Sequence, residues 1–146
     1  MNWDEYFLEM AEAVSKKSKD RSTKIGCVIV GPDREIRSTG YNSFIRGIDD
    51  EKPERHERPE KYLWTEHAER NAIYNAARVG TPLKGCSLYC LALPCMDCAR
   101  GIAQVGITKV IIPEVPGNPE FLERWRESFQ RTEEMFNEAG IEVQIV

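Results

Sequence analysis

Two short stretches of the chain carry residue types that bind metal ions and move protons. His67 and Glu69 are two residues apart, and Cys95 and Cys98 are three residues apart further along. Imidazole and thiolate groups are typical zinc ligands. Structural zinc sites normally have four protein ligands, whereas catalytic sites have three and leave one position for water. The count of three predicts a catalytic Zn²⁺ site, with Glu69 beside the metal and not bound to it.

The carboxylate of Glu69 can supply the acid–base function of a hydrolase. Zinc lowers the pKa of its water towards about 7, and a neighbouring carboxylate can accept the water proton and pass it to a substrate nitrogen. These residues predict hydrolytic removal of an amino group from a ring carbon. A Cys-x-x-Cys pair alone fits structural zinc or redox chemistry equally well. The alternative is therefore a non-catalytic, zinc-stabilised binding module.

The predicted secondary structure places both stretches at helix N-termini. Thr65 is the expected N-cap of a helix over residues 66–79 that Gly80 ends. Pro94 precedes a second helix over residues 95–105. The partial positive charge at a helix N-terminus favours the thiolate form of cysteine. Two helix N-termini should therefore point at one zinc ion.

The hydrophobic pattern of the whole chain predicts the element order α-β-β-α-β-α-β-α-β. Besides the two metal-binding helices, it predicts helices over 2–17 and 120–139, and strands over 25–31, 35–41, 86–93, 108–112 and 141–146. Strands separated by helices should lie parallel. The predicted fold class is α/β: a three-layer α/β/α sandwich with one mixed five-stranded sheet, in a single domain over residues 1–146.

Two segments of the chain are predicted to form loops. Residues 42–64 are polar and charged without a clear period, and structureless stretches of this length are usually functional or disordered. Their basic residues suit either a phosphate clamp or a solvated face; these are Arg46, Arg55, Arg58 and Lys61. The other loop is marked by Pro113, Pro116, Gly117 and Pro119.

Four further residues are candidates for substrate contact. Arg21 and Lys24 precede the first strand, where they could reach a phosphate or only cap a loop. Trp64 lies just before the metal-binding helix, so it could stack on a base or pack in the interior, as could Tyr62.

The composition and charge of the chain limit the class of substrate and the cellular location that we expect. The formal net charge of −4 disfavours a polynucleotide substrate, because phosphate contacts need basic surface. No apolar run approaches the roughly 18 residues of a membrane span, and the N-terminal stretch does not resemble a signal peptide. Five cysteines, an odd number, argue against a disulfide framework. The sequence therefore predicts a cytoplasmic protein that acts on a small molecule.

The combination of His67-Ala68-Glu69 with Pro94-Cys95-x-x-Cys98 resembles the cytidine/deoxycytidylate deaminase superfamily. Three other stretches are similar to its deoxycytidylate (dCMP) deaminase branch. These are residues 20–26 (DRSTKIG), residues 40–42 (GYN) and residues 71–73 (NAI). The likeness covers roughly residues 1–112.

The resemblance implies zinc ligands at His67 and both cysteines, with Glu69 as the proton shuttle. It implies that the backbone N–H of Ala68 contacts the pyrimidine carbonyl oxygen and that Asn42 hydrogen-bonds the sugar hydroxyl. Where relatives often have cysteine or another small residue, this chain has Glu66. That side chain could orient His67, contact an exocyclic substrate group or cap the helix.

The implied reaction is hydrolytic deamination of dCMP to dUMP and ammonia. The alternative is a deaminase of another free base, nucleoside or nucleotide, such as cytidine, guanine or a modified cytosine. A tRNA-editing adenosine deaminase is disfavoured by the acidic balance. The resemblance also implies a homo-oligomer and control by the nucleotide effectors dCTP and dTTP.

Overall fold

The computed structural model describes residues 1–114 and 119–146. In chain order its elements are α1 (Trp3–Ser15), β1 (Gly26–Val30), β2 (Ile36–Tyr41), β3 (Ser43–Phe44), a 3₁₀ turn (Pro53–His56), α2 (Lys61–Trp64), β4 (Thr65–Glu66), α3 (Ala68–Val79), β5 (Ser87–Cys90), α4 (Met96–Gln104), β6 (Lys109–Ile112), α5 (Pro119–Ala139) and β7 (Glu142–Ile145). The predicted order is confirmed, with small elements added between β2 and α3. Within the described residues, no helix combines the length and the apolar character that crossing a bilayer requires.

The main sheet has five strands in the order β2-β1-β5-β6-β7. Strand β1 is antiparallel to both β2 and β5, while β5, β6 and β7 are parallel to one another. Strands β2, β5, β6 and β7 therefore all run in one direction, as expected for strands that helices separate. The predicted mixed five-stranded sheet is confirmed.

Strand β1, which lies between β2 and β5, is buried on both faces of the sheet. Alternate side chains of a strand point to opposite faces. Cys27 and Ile29 pack in a core with residues of α3, α4 and α5. Val28 and Val30 pack instead with Phe7 of α1. Helices thus cover both faces, which confirms the three-layer sandwich.

Helix α3 lies unusually close to β2. A Cβ atom at Gly40 would come closer than 3.0 Å to the backbone of Ala68 and of Ala72, so only glycine allows this approach. The amide of Asn71 donates to the carbonyl oxygen of Tyr41 at 2.8 Å and ties the helix to the end of the strand. The position of α3 is therefore set by backbone contact and leaves little freedom.

The start of α3 differs from the prediction. The helix begins at Ala68 with His67 as its N-cap, whereas Thr65 was expected in that role. The Thr65 hydroxyl donates to the Lys61 carbonyl oxygen at 2.6 Å, within the last turn of α2. Thr65 and Glu66 form β4, which pairs with β3. This pairing holds the two residues in extended conformation, so the helix begins later.

The prediction of a structureless segment over residues 42–64 is also wrong. The segment contains β3, the 3₁₀ turn and α2. The Arg55 guanidinium lies 3.8 Å from the centre of the Trp64 ring, and Lys61 pairs with Asp20 at 3.0 Å. These contacts fold the segment against its surroundings.

Smaller differences concern β5 and the loop after β6. Strand β5 ends at Cys90, although the pattern predicted it as far as Leu93. The loop predicted after β6 includes residues 115–118, which lie outside the described residues. Pro119, expected in that loop, begins α5.

The contact between β2 and α3 predicts the effect of a small substitution. Gly40→Ala should lower the free energy of unfolding by about 1–3 kcal/mol, because the added methyl group forces α3 away from the sheet. Urea denaturation monitored by circular dichroism measures this change.

Gly101→Ala is the matched control. Gly101 lies within α4, and a Cβ there would meet the nearest side chain at an ordinary 3.5 Å. Alanine favours a helix over glycine by up to about 1 kcal/mol, so this variant should be at least as stable as the parent. Equal stability of the two variants would contradict the close-packing argument.

Candidate metal centre

The first half of the site is the N-terminus of α3. His67 is the N-cap residue, in extended conformation with φ −76° and ψ 156°, and its carbonyl oxygen accepts the N–H of Asn71 at 2.9 Å. At this position the imidazole lies beyond the helical turn. Its Nδ1 atom is 3.3 Å from Sγ of Cys95 and 3.5 Å from Sγ of Cys98.

The second half is the N-terminus of α4. Cys95 is the N-cap of this helix, and Cys98 lies in its first turn. Helix α5 braces the approach to α4, because the Thr132 hydroxyl donates to the Pro94 carbonyl oxygen at 2.8 Å. The Met96 N–H of α4 donates to the hydroxyl oxygen of Ser128, which is also on α5, at 2.8 Å. The expected arrangement of two helix N-termini facing one point is present.

The donor set fits a zinc ion. The three ligand atoms of His67, Cys95 and Cys98 all lie within 4.8 Å of one another. Tetrahedral zinc with usual bond lengths of about 2.0–2.3 Å separates its nitrogen and sulfur ligands by about 3.6 Å. The distances of 3.3 and 3.5 Å are close to this value. Among the described residues this is the one histidine, cysteine and carboxylate cluster with such geometry.

The electrostatics at the centre favour a thiolate. The hydrogen bond from Cys98 lowers the pKa of the Cys95 thiol to about 4, against the opposing effect of burial. The hydrogen bond with His67 acts in the same direction. Thiolate is the form in which cysteine binds a metal. The pocket is therefore prepared for a cation.

Glu69 lies in the first turn of α3 and is 5% exposed. Its Oε1 atom is 3.3 Å from the thiol sulfur of Cys90 on β5. Burial lowers the pKa of His67, but the hydrogen bond with Cys95 and the negative charge of Glu69 outweigh burial and raise it. Glu69 is thus near the metal-binding group without belonging to it, as the sequence predicts.

A cavity of about 830 Å³ opens onto this centre. This is within the usual range for small-molecule sites. His67, Glu69 and Cys95 are among the residues that line it, whereas Cys98 is not. Several candidates for substrate contact also line the cavity: Arg21, Asn42, Glu66 and Ala68.

Two candidates for substrate contact, Lys24 and Trp64, do not line the cavity. Lys24 is exposed on the surface outside it. Trp64 is covered by the Arg55 guanidinium, and its indole N–H donates to Glu60 at 2.9 Å. Its ring is occupied by contacts within the 42–64 segment, which explains why it does not reach the site.

The Asn42 side chain connects two segments of the chain by hydrogen bonds. Its Oδ1 atom accepts the N–H of Ile25 at 2.8 Å, and its Nδ2 atom donates to the Thr23 carbonyl oxygen at 2.8 Å. The side chain therefore joins the end of β2 to the segment that enters β1. One N–H of the amide remains for a ligand in the cavity, since each amide nitrogen carries two donors.

Glu66 contacts two residues that follow it in the chain. Its Oε1 atom accepts the N–H of His67 at 3.0 Å and pairs with Arg70 at 2.6 Å. This hydrogen bond is to the backbone of His67 and not to its imidazole, and the three alternative roles of Glu66 stay predictions. The ion pair with Arg70, one helical turn along α3, was not anticipated.

The basic residues of the 42–64 segment are largely paired. Arg46 donates to Asn75 at 2.7 Å, and Arg58 donates to the Ser22 hydroxyl at 2.8 Å. Lys61 forms its ion pair with Asp20. All three cations line the cavity, but each also connects two segments of the chain. Arg55 does not line the cavity.

Trp125, on α5, is a cavity residue that the sequence analysis did not single out. Its ring meets the His67 imidazole edge to face, with 5.7 Å between ring centres, and Tyr62 meets Trp125 at 6.4 Å. The aromatic spacing of α5 signals a buried face but does not identify which ring reaches the metal centre.

Comparison with known proteins agrees with this geometry. A family model described as the cytidine and deoxycytidylate deaminase zinc-binding region matches residues 1–114. The protein named Uncharacterized deaminase in luxG 3'region of Aliivibrio fischeri is 44% identical over 141 residues, which cover 97% of this chain and 91% of that protein. The deoxycytidylate deaminase of Pongo abelii is 39% identical over 116 residues, covering 76% of this chain and 64% of that enzyme.

A solved structure is similar along nearly the whole chain. The dCMP deaminase from the cyanophage S-TIM5, in complex with dCMP and dUMP, superimposes with a TM-score of 0.73 at 26% identity. The match covers 97% of this chain and 95% of that one. The region matched by the family model includes the three side chains positioned to hold the metal ion. The chain therefore belongs to the cytidine and deoxycytidylate deaminase family of zinc-binding proteins.

Proposed function

We propose that this protein is a zinc-dependent hydrolase that converts dCMP to dUMP and ammonia. The observation that carries the proposal is the convergence of His67, Cys95 and Cys98 at one point beside a nucleotide-sized cavity, which His67, Cys95 and the buried Glu69 line. The similar fold of a dCMP deaminase bound to dCMP and dUMP supports this choice of substrate. The chain spans about 64% of the length of the primate deoxycytidylate deaminase, so the activity is argued from this chain's own site.

The chemistry needs a nucleophile and a proton carrier. Bound zinc would supply a water whose pKa is lowered towards about 7. Glu69 accepts a proton from the attacking water and delivers it to the ring nitrogen next to the reacting carbon. A second transfer through Glu69 protonates the departing amino group. The carbon–nitrogen bond breaks, the water oxygen becomes the new carbonyl oxygen, and ammonia leaves.

Two groups are placed to orient the pyrimidine nucleotide. Ala68 is the first residue of α3, and N–H groups in the first turn of a helix lack partners within the helix. Its N–H is our candidate donor to the pyrimidine carbonyl oxygen. The remaining N–H of Asn42 is the candidate donor to the sugar hydroxyl, because the rest of that amide is already held.

The phosphate is assigned to Arg21. This arginine lines the cavity and is exposed, whereas Arg58 and Lys61 nearby are engaged with Ser22 and Asp20. Because no side-chain partner engages Arg21 within residues 1–114 and 119–146, its guanidinium fork can turn to a phosphate. Lys24 is not part of this proposal, because it lies outside the cavity.

Several wider properties remain predictions, the domain count and the location from the sequence and the assembly and effectors from the resemblance. They are a single domain over residues 1–146, a homo-oligomer, control by dCTP and dTTP, and a cytoplasmic location that suits a free-nucleotide substrate. Sedimentation analysis with and without dCTP tests the assembly and the effector together.

Substrate preference tests the proposed reaction. Ammonia release should show the highest kcat/KM with dCMP when dCMP, deoxycytidine, cytidine, guanine and 5-methylcytosine are compared. The physical reason is the added phosphate contact, since a hydrogen bond to a charged group contributes about 1.5–3 kcal/mol. A higher kcat/KM for any other compound would show that this compound, and not dCMP, is the preferred substrate.

Arg21 and Lys24, which both precede β1, allow a controlled test of the proposed phosphate contact. Arg21→Gln should raise KM for dCMP about tenfold, because one charged hydrogen bond is lost. It should leave kcat/KM for deoxycytidine, which has no phosphate, unchanged. Lys24→Gln removes the same charge outside the cavity and should leave both substrates unaffected. Equal effects of the two substitutions would show a diffuse charge effect and contradict the assignment to Arg21.

Removal of the proton carrier separates an enzyme from a binding module. Glu69→Gln should lower kcat at least about a hundredfold, because the amide cannot accept the water proton. Zinc per chain, measured by atomic emission, should stay at the parent value since Glu69 is not a ligand. Retention of the parent rate would refute the role of Glu69 as proton shuttle.

A further inference from the structure

A pair of buried thiols lies behind the Glu69 carboxylate. Cys90 is the last residue of β5, and Cys27 lies directly opposite it on the antiparallel strand β1. Both cysteines are 0% exposed, and both belong to the core between the sheet and α3. Neither is among the metal-binding side chains. The proposed mechanism leaves both thiols without a role.

The contact of this pair with Glu69 is specific. The Cys90 sulfur is 3.3 Å from Oε1 of Glu69, a usual separation for a thiol donor and a carboxylate acceptor. In the described part of the chain, no other side chain donates to this carboxylate. Glu69 has three rotatable side-chain bonds, and this hydrogen bond adds a directional restraint to the packing around the buried side chain.

The surroundings keep the donor protonated. The hydrogen bond with Cys27 and complete burial raise the pKa of the Cys90 thiol well above its ordinary value, and the charge of Glu69 acts in the same direction. Burial also raises the pKa of Cys27. Cys90 therefore carries its proton at neutral pH and can donate it to the carboxylate in a hydrogen bond.

We propose that Cys90 is a positioning residue: its thiol holds Oε1 of Glu69 by hydrogen bonding and leaves the second carboxylate oxygen free for proton transfer in the cavity. Cys27 supports the arrangement as the cross-strand partner that fixes Cys90. This inference rests on the proposed role of Glu69 as proton shuttle. Small errors in the placement of a reacting group are costly in rate, which is why such a restraint matters.

A buried cysteine often serves only as a small apolar residue, and the variants must separate that role from positioning. Cys90→Val removes the donor but keeps an apolar side chain of similar size. Cys90→Ser restores a donor at the same position. Cys86→Val is the matched control, because Cys86 is equally buried beside the same strand and its thiol makes no hydrogen bond within the described residues.

Steady-state kinetics with dCMP on the zinc-loaded protein give the first test. Cys90→Val should lower kcat about tenfold while KM stays within about twofold, because positioning affects the reacting geometry and not substrate binding. Cys90→Ser should recover most of the lost kcat, and Cys86→Val should keep the parent value. Equal losses in the valine and serine variants, or a parent-like kcat in Cys90→Val, would overturn the proposal.

Infrared spectroscopy of the S–H stretch gives a test that does not depend on turnover. The parent protein should show a band at reduced frequency that is absent in Cys90→Val and moves to higher frequency in Glu69→Gln. An unchanged spectrum in Glu69→Gln would refute the hydrogen bond. Failure of the parent protein to act on dCMP would instead refute the proposed function, so the two failures are distinguishable.

Discussion

The structure depends on the meeting of two helix N-termini at one point. His67 is the N-cap of α3 and Cys95 is the N-cap of α4, and their ligand atoms are 3.3 Å apart. Metal–ligand distances tolerate errors of only about 0.2 Å, so neither helix can shift appreciably. The sheet provides the required rigidity. Helix α3 is held against β2 at Gly40, and α4 begins a few residues after β5 ends.

Helix α5 completes the site from outside the region that the family model matches. Thr132 and Ser128 hold the chain at Pro94 and Met96, just where α4 begins. Trp125 packs edge to face against the His67 imidazole. The last helix thus restrains both halves of the metal centre, although its own sequence carries no metal ligand. Its role is mechanical support together with an aromatic wall for the cavity.

The metal-binding residues could be predicted because their information is local: ligand type, spacing and helix position all lie within a few residues. The start of α3 could not, because it depends on pairing between Ser43 and Glu66, which are distant in sequence. The position of Trp64 before α3 suggested stacking on a base, but Arg55, nine residues earlier, covers its ring. The location of Trp125 at the metal centre likewise follows from how α5 packs on α4, which hydrophobic periodicity does not specify.

The burial of negative charge explains why the fold and the chemistry cannot be separated. A buried carboxylate is costly unless hydrogen bonds or nearby positive charge compensate it. Glu69 has both, since it lies in the first turn of α3 and accepts a hydrogen bond from Cys90. The Cys95 thiolate has the N-terminus of α4 and the His67 imidazole. A divalent cation bound beside the Glu69 carboxylate and the Cys95 thiolate would compensate their remaining negative charge. The arrangement that compensates these two buried anions is therefore the same one that forms a catalytic metal site.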